Sequence, residues 1–184
     1  MIYKKVNPVG IDVPIQKLQQ TLFDKLLDMW SLDVDDYKSY GRCYRNSKED
    51  GYVPEMFVSE GKQYQDLFLD DNQVVTSFFG CEKMPLQNES FRADVHLIFA
   101  VNLTKVGINV THRADEEVRM DVYRLLLKYP EFVVNEIVIG SDSVFREYTA
   151  WKKLIPDRDM QPNHFFRINF TLNYIPTFCS LQLK

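Results

Sequence analysis

From Phe91 to Leu103 every odd position is apolar: Phe91, Ala93, Val95, Leu97, Phe99, Val101 and Leu103. Successive strand side chains point to opposite faces, so this period of two predicts one long strand with a core face. The other face carries Arg92, Asp94, His96, Asn102 and Thr104. The pattern returns near the C-terminus, where His164, Phe166, Ile168, Phe170, Leu172 and Tyr174 alternate with Phe165, Arg167, Asn169, Thr171 and Asn173. Two such strands fit one sheet.

Between them lies the clearest helical pattern in the chain. It starts near Thr111, with Ala114, Val118, Val122, Leu125, Leu126 and Tyr129 as its apolar stripe. Asp115, Glu116 and Glu117 in the first turn and Arg124 and Lys128 near the last complement the helix dipole, and Pro130 stops it. An earlier helix is expected from Asp12 as N-cap, with Pro14 in the first turn and Ile15, Leu18, Leu22, Leu26 and Trp30 at helical spacing. That stripe, with Phe23, is read as core rather than as a cofactor or partner groove. Ser141 or Ser143 is expected to cap a further short helix with Val144, Tyr148 and Trp151 on one side. Phe132 to Ile139 is a strand or a turn of helix, and Lys152 to Gln161 a loop.

Leu32 to Asp50 is polar and without period, and Asp33, Asp35 and Asp36 lie close together in it. Carboxylates can gather a hard cation, but no EF-hand spacing follows, so a solvated loop is the reading. Tyr52 to Val58, Tyr64 to Leu69 and Val74 to Phe79 are short β-prone runs joined by turn residues, which predicts a hairpin arm over 52–79. Tyr64, Phe68, Phe78 and Phe79 make this ribbon apolar on both faces. It must be buried in its own domain or covered by a neighbour.

At 184 residues the chain fits a single domain, 1–184, with 1–11 and 177–184 as terminal extensions, and such a domain buries roughly 70% of its unfolded surface. The expected class is α+β: an antiparallel sheet with a long hairpin and helices packed on one face. A hydrophobic content of 45% is too high for intrinsic disorder. Cys43, Cys81 and Cys179 match neither a disulfide framework nor a zinc motif, so a reducing cytoplasm is expected. No apolar run approaches the roughly 20 residues that span a bilayer. The net charge of −4 argues against general affinity for phosphate backbones, which comes from Lys and Arg releasing counterions. It suits a channel wall, where like charge keeps DNA from sticking.

Neither a glycine-rich phosphate loop, nor G-x-S-x-G, nor H-E-x-x-H occurs. Asp94 and His96 share a strand face and would meet Arg167 or His164 if the two long strands pair. An Asp and a His so placed can ligate a metal or act as an acid/base pair, because His titrates near neutrality and a carboxylate orients it. The plainer reading is a polar sheet face with cross-strand pairs. No catalytic, cofactor or metal residue is therefore assigned. None of the cysteines has a sequence neighbour that would activate it.

The order helix, hairpin, long strand, helix, final strand has a more specific counterpart. With the run Asp142-Ser-Val-Phe-Arg-Glu-Tyr148 ahead of Gln161-Pro-Asn-His-Phe-Phe-Arg-Ile-Asn-Phe-Thr-Leu-Asn-Tyr174, it resembles the tail-terminator or tail-completion proteins of tailed bacteriophages. Within that head-to-tail connector group it is most similar to the neck ring proteins of crAss-like phages. The resemblance implies a structural virion protein rather than an enzyme. Copies would assemble in the host bacterial cytoplasm into a closed ring of roughly six or twelve. The ring would join portal, other neck ring and tail proteins and let DNA pass without specific binding. It also implies that the hairpin reaches neighbouring subunits, which makes Tyr64, Phe68, Val74, Phe78 and Phe79 the expected subunit interface. The segment Leu32 to Val58 and the helix near Ser141 to Trp151 depart from the compact members. Two alternatives remain: a small metal-dependent enzyme built on Asp94, His96 and His164, and a host-directed adaptor or inhibitor using the hairpin.

Overall fold

The computed structural model describes residues 1–58, 63–67, 73–87, 90–106, 114–154 and 162–175. The two long alternating segments form β7 (Ser90–Asn102) and β9 (Asn163–Tyr174), paired antiparallel from Phe91↔Tyr174 to Asn102↔Asn163. On one face their side chains are apolar except for His164 at the end of the pair, and the Phe99 and Phe166 rings stack there at 5.0 Å. Around this pair the remaining strands are β1 (Ile2–Tyr3), β2 (Tyr37–Lys48), β3 (Gly51–Val58), β4 (Gln63–Asp66), β5 (Val75–Lys83), β6 (Leu86–Gln87) and β8 (Phe132–Ile139). The sheet runs β4-β3-β2-β5-β7-β9-β8, with β1 beside β2 and β6 beside β7. It is antiparallel except where β2 meets β5 and β1.

Helix α1 (Asp12–Met29) and helix α2 (Ala114–Leu126) cover one face. Ile15, Leu18, Leu22, Leu26 and Trp30 of the first and Val118, Val122, Leu125 and Leu126 of the second meet Val95, Leu97, Phe99, Ile168 and Phe170 in one core. The helices are tied to each other as well: Trp30 Nε1 donates to Asp121 Oδ2 at 3.0 Å and Tyr129 donates to Thr21 Oγ1 at 3.0 Å. The stripe on α1 is core, as expected.

Helices do not occupy one face only. Two short ones, α3 (Ser141–Val144) and α4 (Thr149–Leu154), form a cap on the opposite face, over a second core of Tyr40, Cys43, Met56, Leu67, Phe78, Ile98, Val144, Phe145, Tyr148, Trp151 and Phe165. Ile98 and Phe165 therefore make the second face half apolar, where a polar one was expected. Helix α4 also takes Lys152 to Leu154 out of the expected loop.

Asp12 is not an N-cap. Ile11 holds that position without a side-chain cap, while the Asp12 carboxylate turns to Lys5 and Arg42. Bonds to two cations outweigh one to a backbone N–H. The expected irregular stretch 32–50 is instead a loop to Asp36 followed by a central strand, β2. Its period is hidden because small residues pack where large ones have no room: Ser39 is buried and joins Tyr37 and Ser77 through a hydroxyl chain, with 2.8 Å from Tyr37 to Ser77 and 3.3 Å from Ser77 to Ser39. Nor is the N-terminus a loose extension. The Met1 amine donates to Tyr37 O at 2.5 Å, Ser39 N donates to Met1 O at 3.0 Å, and Ile2 and Tyr3 pair with β2. Residues 177–184 lie outside the described residues.

Strands β3 and β4 form the expected hairpin, but β5 leaves it and enters the sheet between β2 and β7. The apolar character of 74–79 follows from that central place. Phe79 points into the α1–α2 core and Phe78 into the cap core, each 1% exposed.

Phe99→Ala should cost about 3–5 kcal/mol, because a stacked ring at the sheet centre leaves a cavity the strands cannot close. Thermal unfolding should register this as a fall in Tm of roughly 10 °C.

Candidate functional site: an ion network beneath the cap

The second face of the sheet carries one concentration of ionisable chemistry, held by three adjacent strands and the cap. Gly80 on β5, His96 on β7 and Asn169 on β9 stand side by side in register, and Arg167 faces Ile98 one step further on. Arg167 is 1% exposed, a full positive charge inside the fold. All three arms of its guanidinium are engaged. Nε donates to Asn169 Oδ1 at 2.5 Å, Nη2 to Glu82 Oε1 at 2.7 Å, and Nη1 to the Glu147 carboxylate. Asn169 in turn donates to Glu136 Oε1 at 2.5 Å. At the rim, half-exposed Arg146 donates from Nε to Glu147 at 2.7 Å and lies 3.6 Å from Glu82.

His96 sits against this network, 3% exposed. Its Nε2 lies 3.0 Å from the Tyr148 hydroxyl and its Nδ1 3.6 Å from Glu82 Oε1. Nδ1 makes no hydrogen bond at that distance, and with the proton on Nδ1 facing the carboxylate, Nε2 would accept from Tyr148. Glycine at position 80 makes this contact possible: a Cβ there would overlap the His96 ring and come within 2.7 Å of the Tyr148 oxygen.

Burial pushes the His96 pKa down, with the Arg167 charge adding to it against the opposing pull of Glu82 and Glu147, so the ring is neutral at pH 7. The Glu82 carboxyl is held well below the usual carboxylate range, first by the His96 ring and further by Glu147 and Arg167, against the cost of burial. Burial pushes the Tyr148 phenol well above its ordinary value, so it keeps its proton. Carboxylate, imidazole and hydroxyl thus stand in a relay order, but Tyr148 at its end is 2% exposed under the cap. The arrangement fastens. It pins Glu147 and Tyr148 of the cap to β5, β7 and β9, and removing one partner of such a buried pair costs about 3–5 kcal/mol.

The residues expected to form a metal or acid/base site do not meet. Asp94 is exposed near the far end of β7, opposite Thr171. His164 pairs with Val101 and lies on the other face, its ring 5.6 Å from that of Phe166. Seven residues of strand separate the two along β7, roughly 23 Å. His96 does meet Arg167, as the pairing of the long strands requires. Among the described residues no group of three or more His, Cys, Asp or Glu side chains is placed to hold a metal. Burial raises both described thiols, Cys81 to about 11 and Cys43 well above its ordinary value.

Of the expected interface residues, Val74, Phe78 and Phe79 are covered by the chain's own cores, so no neighbour is needed to bury them. Tyr64 is 47% exposed, and Phe68 lies outside the described residues. Glu82, Glu147 and Gly80 were not singled out by sequence reasoning. The signal available was Arg167, the one Arg, Lys, Asp or Glu between Asn163 and Tyr174, which requires a carboxylate from elsewhere in the chain once it is buried.

Compared with models of known protein families, with curated proteins and with solved structures, the chain finds no match in any of the three.

A base whose pKa is lowered on folding binds its proton more readily in the unfolded chain. Stability should therefore fall as pH drops below the unfolded His value of 6.5. Glu82, lowered likewise, contributes fully above its unfolded value of 4.5, and that contribution is lost as pH falls further. Urea unfolding between pH 8 and 5 should show the first slope, and His96→Gln should flatten it. Gly80→Ala should displace His96 and Tyr148 and cost about 2 kcal/mol or more, read as a lower urea midpoint.

Proposed function

We propose that the chain is a ring-forming structural subunit of a bacteriophage neck or tail terminator, joining portal to tail and letting DNA pass. The observation that carries this reading is the sheet's two ends. Among the described residues its strand path is open, with β4 ending it on one side and β8 on the other. Natural edge strands are blunted by charged side chains, Pro or bulges; β8 has Glu136 and a bulge between Val134 and Glu136, but no Lys or Pro. It presents Val133 and Ile139 instead, 50% and 56% exposed. Contact between unlike edges of successive copies is heterologous and closes into a ring when the rotation between copies allows. The fold order and the net charge of −4 fit the same reading, the charge because it repels DNA in transit.

Mass photometry of the purified chain, alone and co-expressed with the portal, tests this. The expected result is a discrete species of six or more copies, as a closed ring needs. Val133→Asp with Ile139→Asp should convert it to monomer while Tm stays within about 2 °C, since both side chains are solvent-facing. A monomer under both conditions, with no copies in virions, would overturn the proposal.

A further inference from the structure

A second charged cluster lies on the α1 side of the sheet, where Arg42 on β2 pairs with Phe79, the residue before Gly80, and its charges do not balance. Lys5 and Arg42 have side chains only 14% and 15% exposed, and both lean on one carboxylate, Asp12, which is 4% exposed. Lys5 Nζ donates to Asp12 Oδ2 at 2.6 Å. Arg42 donates from Nε to Oδ1 at 2.6 Å and from Nη2 to Oδ2 at 3.3 Å. Two largely buried cations thus share one anion, and a buried charge left uncompensated is costly. Aromatic faces supply part of the balance: Lys5 Nζ lies 5.2 Å from the Tyr44 ring centre and 6.0 Å from that of Phe57, and the Arg42 guanidinium 4.8 Å from that of Tyr44.

The donor inventory has a surplus of the same sign. The Tyr44 hydroxyl oxygen accepts from Lys5 at 3.1 Å and from Arg42 Nη2 at 2.7 Å. Neither cation can accept in return, so the Tyr44 proton is not used in these two bonds. Arg42 retains both hydrogens on Nη1 and Lys5 one on Nζ, beyond the hydrogen bonds these groups make among the described residues. Ammonium, guanidinium and phenol donors therefore meet around one net positive charge. Tyr64, packed edge-on against Tyr44 at 5.6 Å and against Phe57 at 5.3 Å, forms an exposed aromatic wall beside them.

We propose that Lys5, Arg42 and Tyr44 form a binding site for an oxyanion, a carboxylate or phosphate group, whose apolar neighbour rests on Tyr64. Phosphate or carboxylate oxygens accept the remaining N–H and O–H groups, and their charge completes what Asp12 neutralises by half. The site stands independently of the ring proposal. Its anion is either a free small molecule or a side-chain carboxylate of another copy.

Nuclear magnetic resonance titration of the full chain with inorganic phosphate, and separately with acetate, in chloride of matched ionic strength, tests the site. The expected result is a saturable shift confined to signals of Lys5, Arg42, Tyr44 and their neighbours, with affinity about tenfold weaker in Tyr44→Phe and in Lys5→Gln. Neither variant removes the Arg42–Asp12 pair, so both should fold. An absent or unsaturable shift, or equal affinity in wild type and both variants, would overturn the site. Mass photometry of the same samples separates the sources. Phosphate that also dissociates an oligomer identifies the natural anion as a neighbouring copy's carboxylate. Saturation with no change in mass identifies a free anion, and both results support the site.

Discussion

The antiparallel register of β7 on β9 is the constraint on which the rest of the molecule depends. Pairing from Phe91↔Tyr174 to Asn102↔Asn163 sets Val95, Leu97 and Phe99 beside Phe170, Ile168 and Phe166 on one face. The same register sets His96 beside Asn169 and Ile98 beside Arg167 on the other. A slip of β9 by one residue would turn Arg167 into the α1–α2 core and Phe166, Ile168 and Phe170 away from it. Because both faces are covered, such a slip is penalised twice, once in lost apolar burial and once in a stranded charge. Placing α2 and β8 between the two strands in sequence makes the pair non-local, so its closure entropy must be met by large burial, which the aromatic ladder supplies.

The two faces solve the covering problem differently. Helices α1 and α2 bring enough Leu, Val and Ile to hold the first face by apolar burial, with Trp30–Asp121 as a polar pin between them. The cap is short, and among the described residues it brings Val144, Phe145, Tyr148 and Trp151 to this core. What it lacks in area it makes up in directed bonds: Glu147 to Arg167 and Tyr148 to His96, and Thr149 Oγ1 accepting from Tyr52 N at 3.0 Å. A buried ion pair adds little net stability against an apolar replacement, but it punishes every alternative seating of the cap. Gly80 belongs to the same device, since the space a Cβ would fill is what lets the imidazole and the phenol meet over β5.

Long-period signals were legible in the sequence and short-range substitutions for them were not. The alternation of 91–103 and 164–174 identified the central strands, and the marked ends of 114–126 identified α2. Strand β2 escaped because Ser39 and Gly41 pack where a large residue would show a period; a Cβ at Gly41 would lie 3.4 Å from Gln19 Oε1. The 74–79 run was read as part of an arm because its two-sided apolar character fits either an uncovered ribbon or a central strand, and only the sheet order distinguishes them. At the site, His96 and Arg167 were legible as a cross-strand encounter. Glu82 and Glu147 were not, because a carboxylate's partner is fixed by tertiary placement and no spacing encodes it. His164 shares its residue type with His96 but not its face, which register alone decides.

The two charged clusters share a residue chemistry and differ in their balance. Around Arg167 carboxylates outnumber the buried cation, with Glu82, Glu147 and Glu136 on one side and Arg146 returning charge at the rim. That cluster is complete in itself, which is what a fastener requires. Around Asp12 the cations outnumber the carboxylate, and no acid among the described residues joins Lys5 and Arg42 there. A fold gains nothing from leaving a charge half neutralised when an Asn or Gln would join α1 to β2 at lower cost. The excess is intelligible if a negative group arrives from outside the chain, and a protein of net charge −4 keeps few places where one would be welcome.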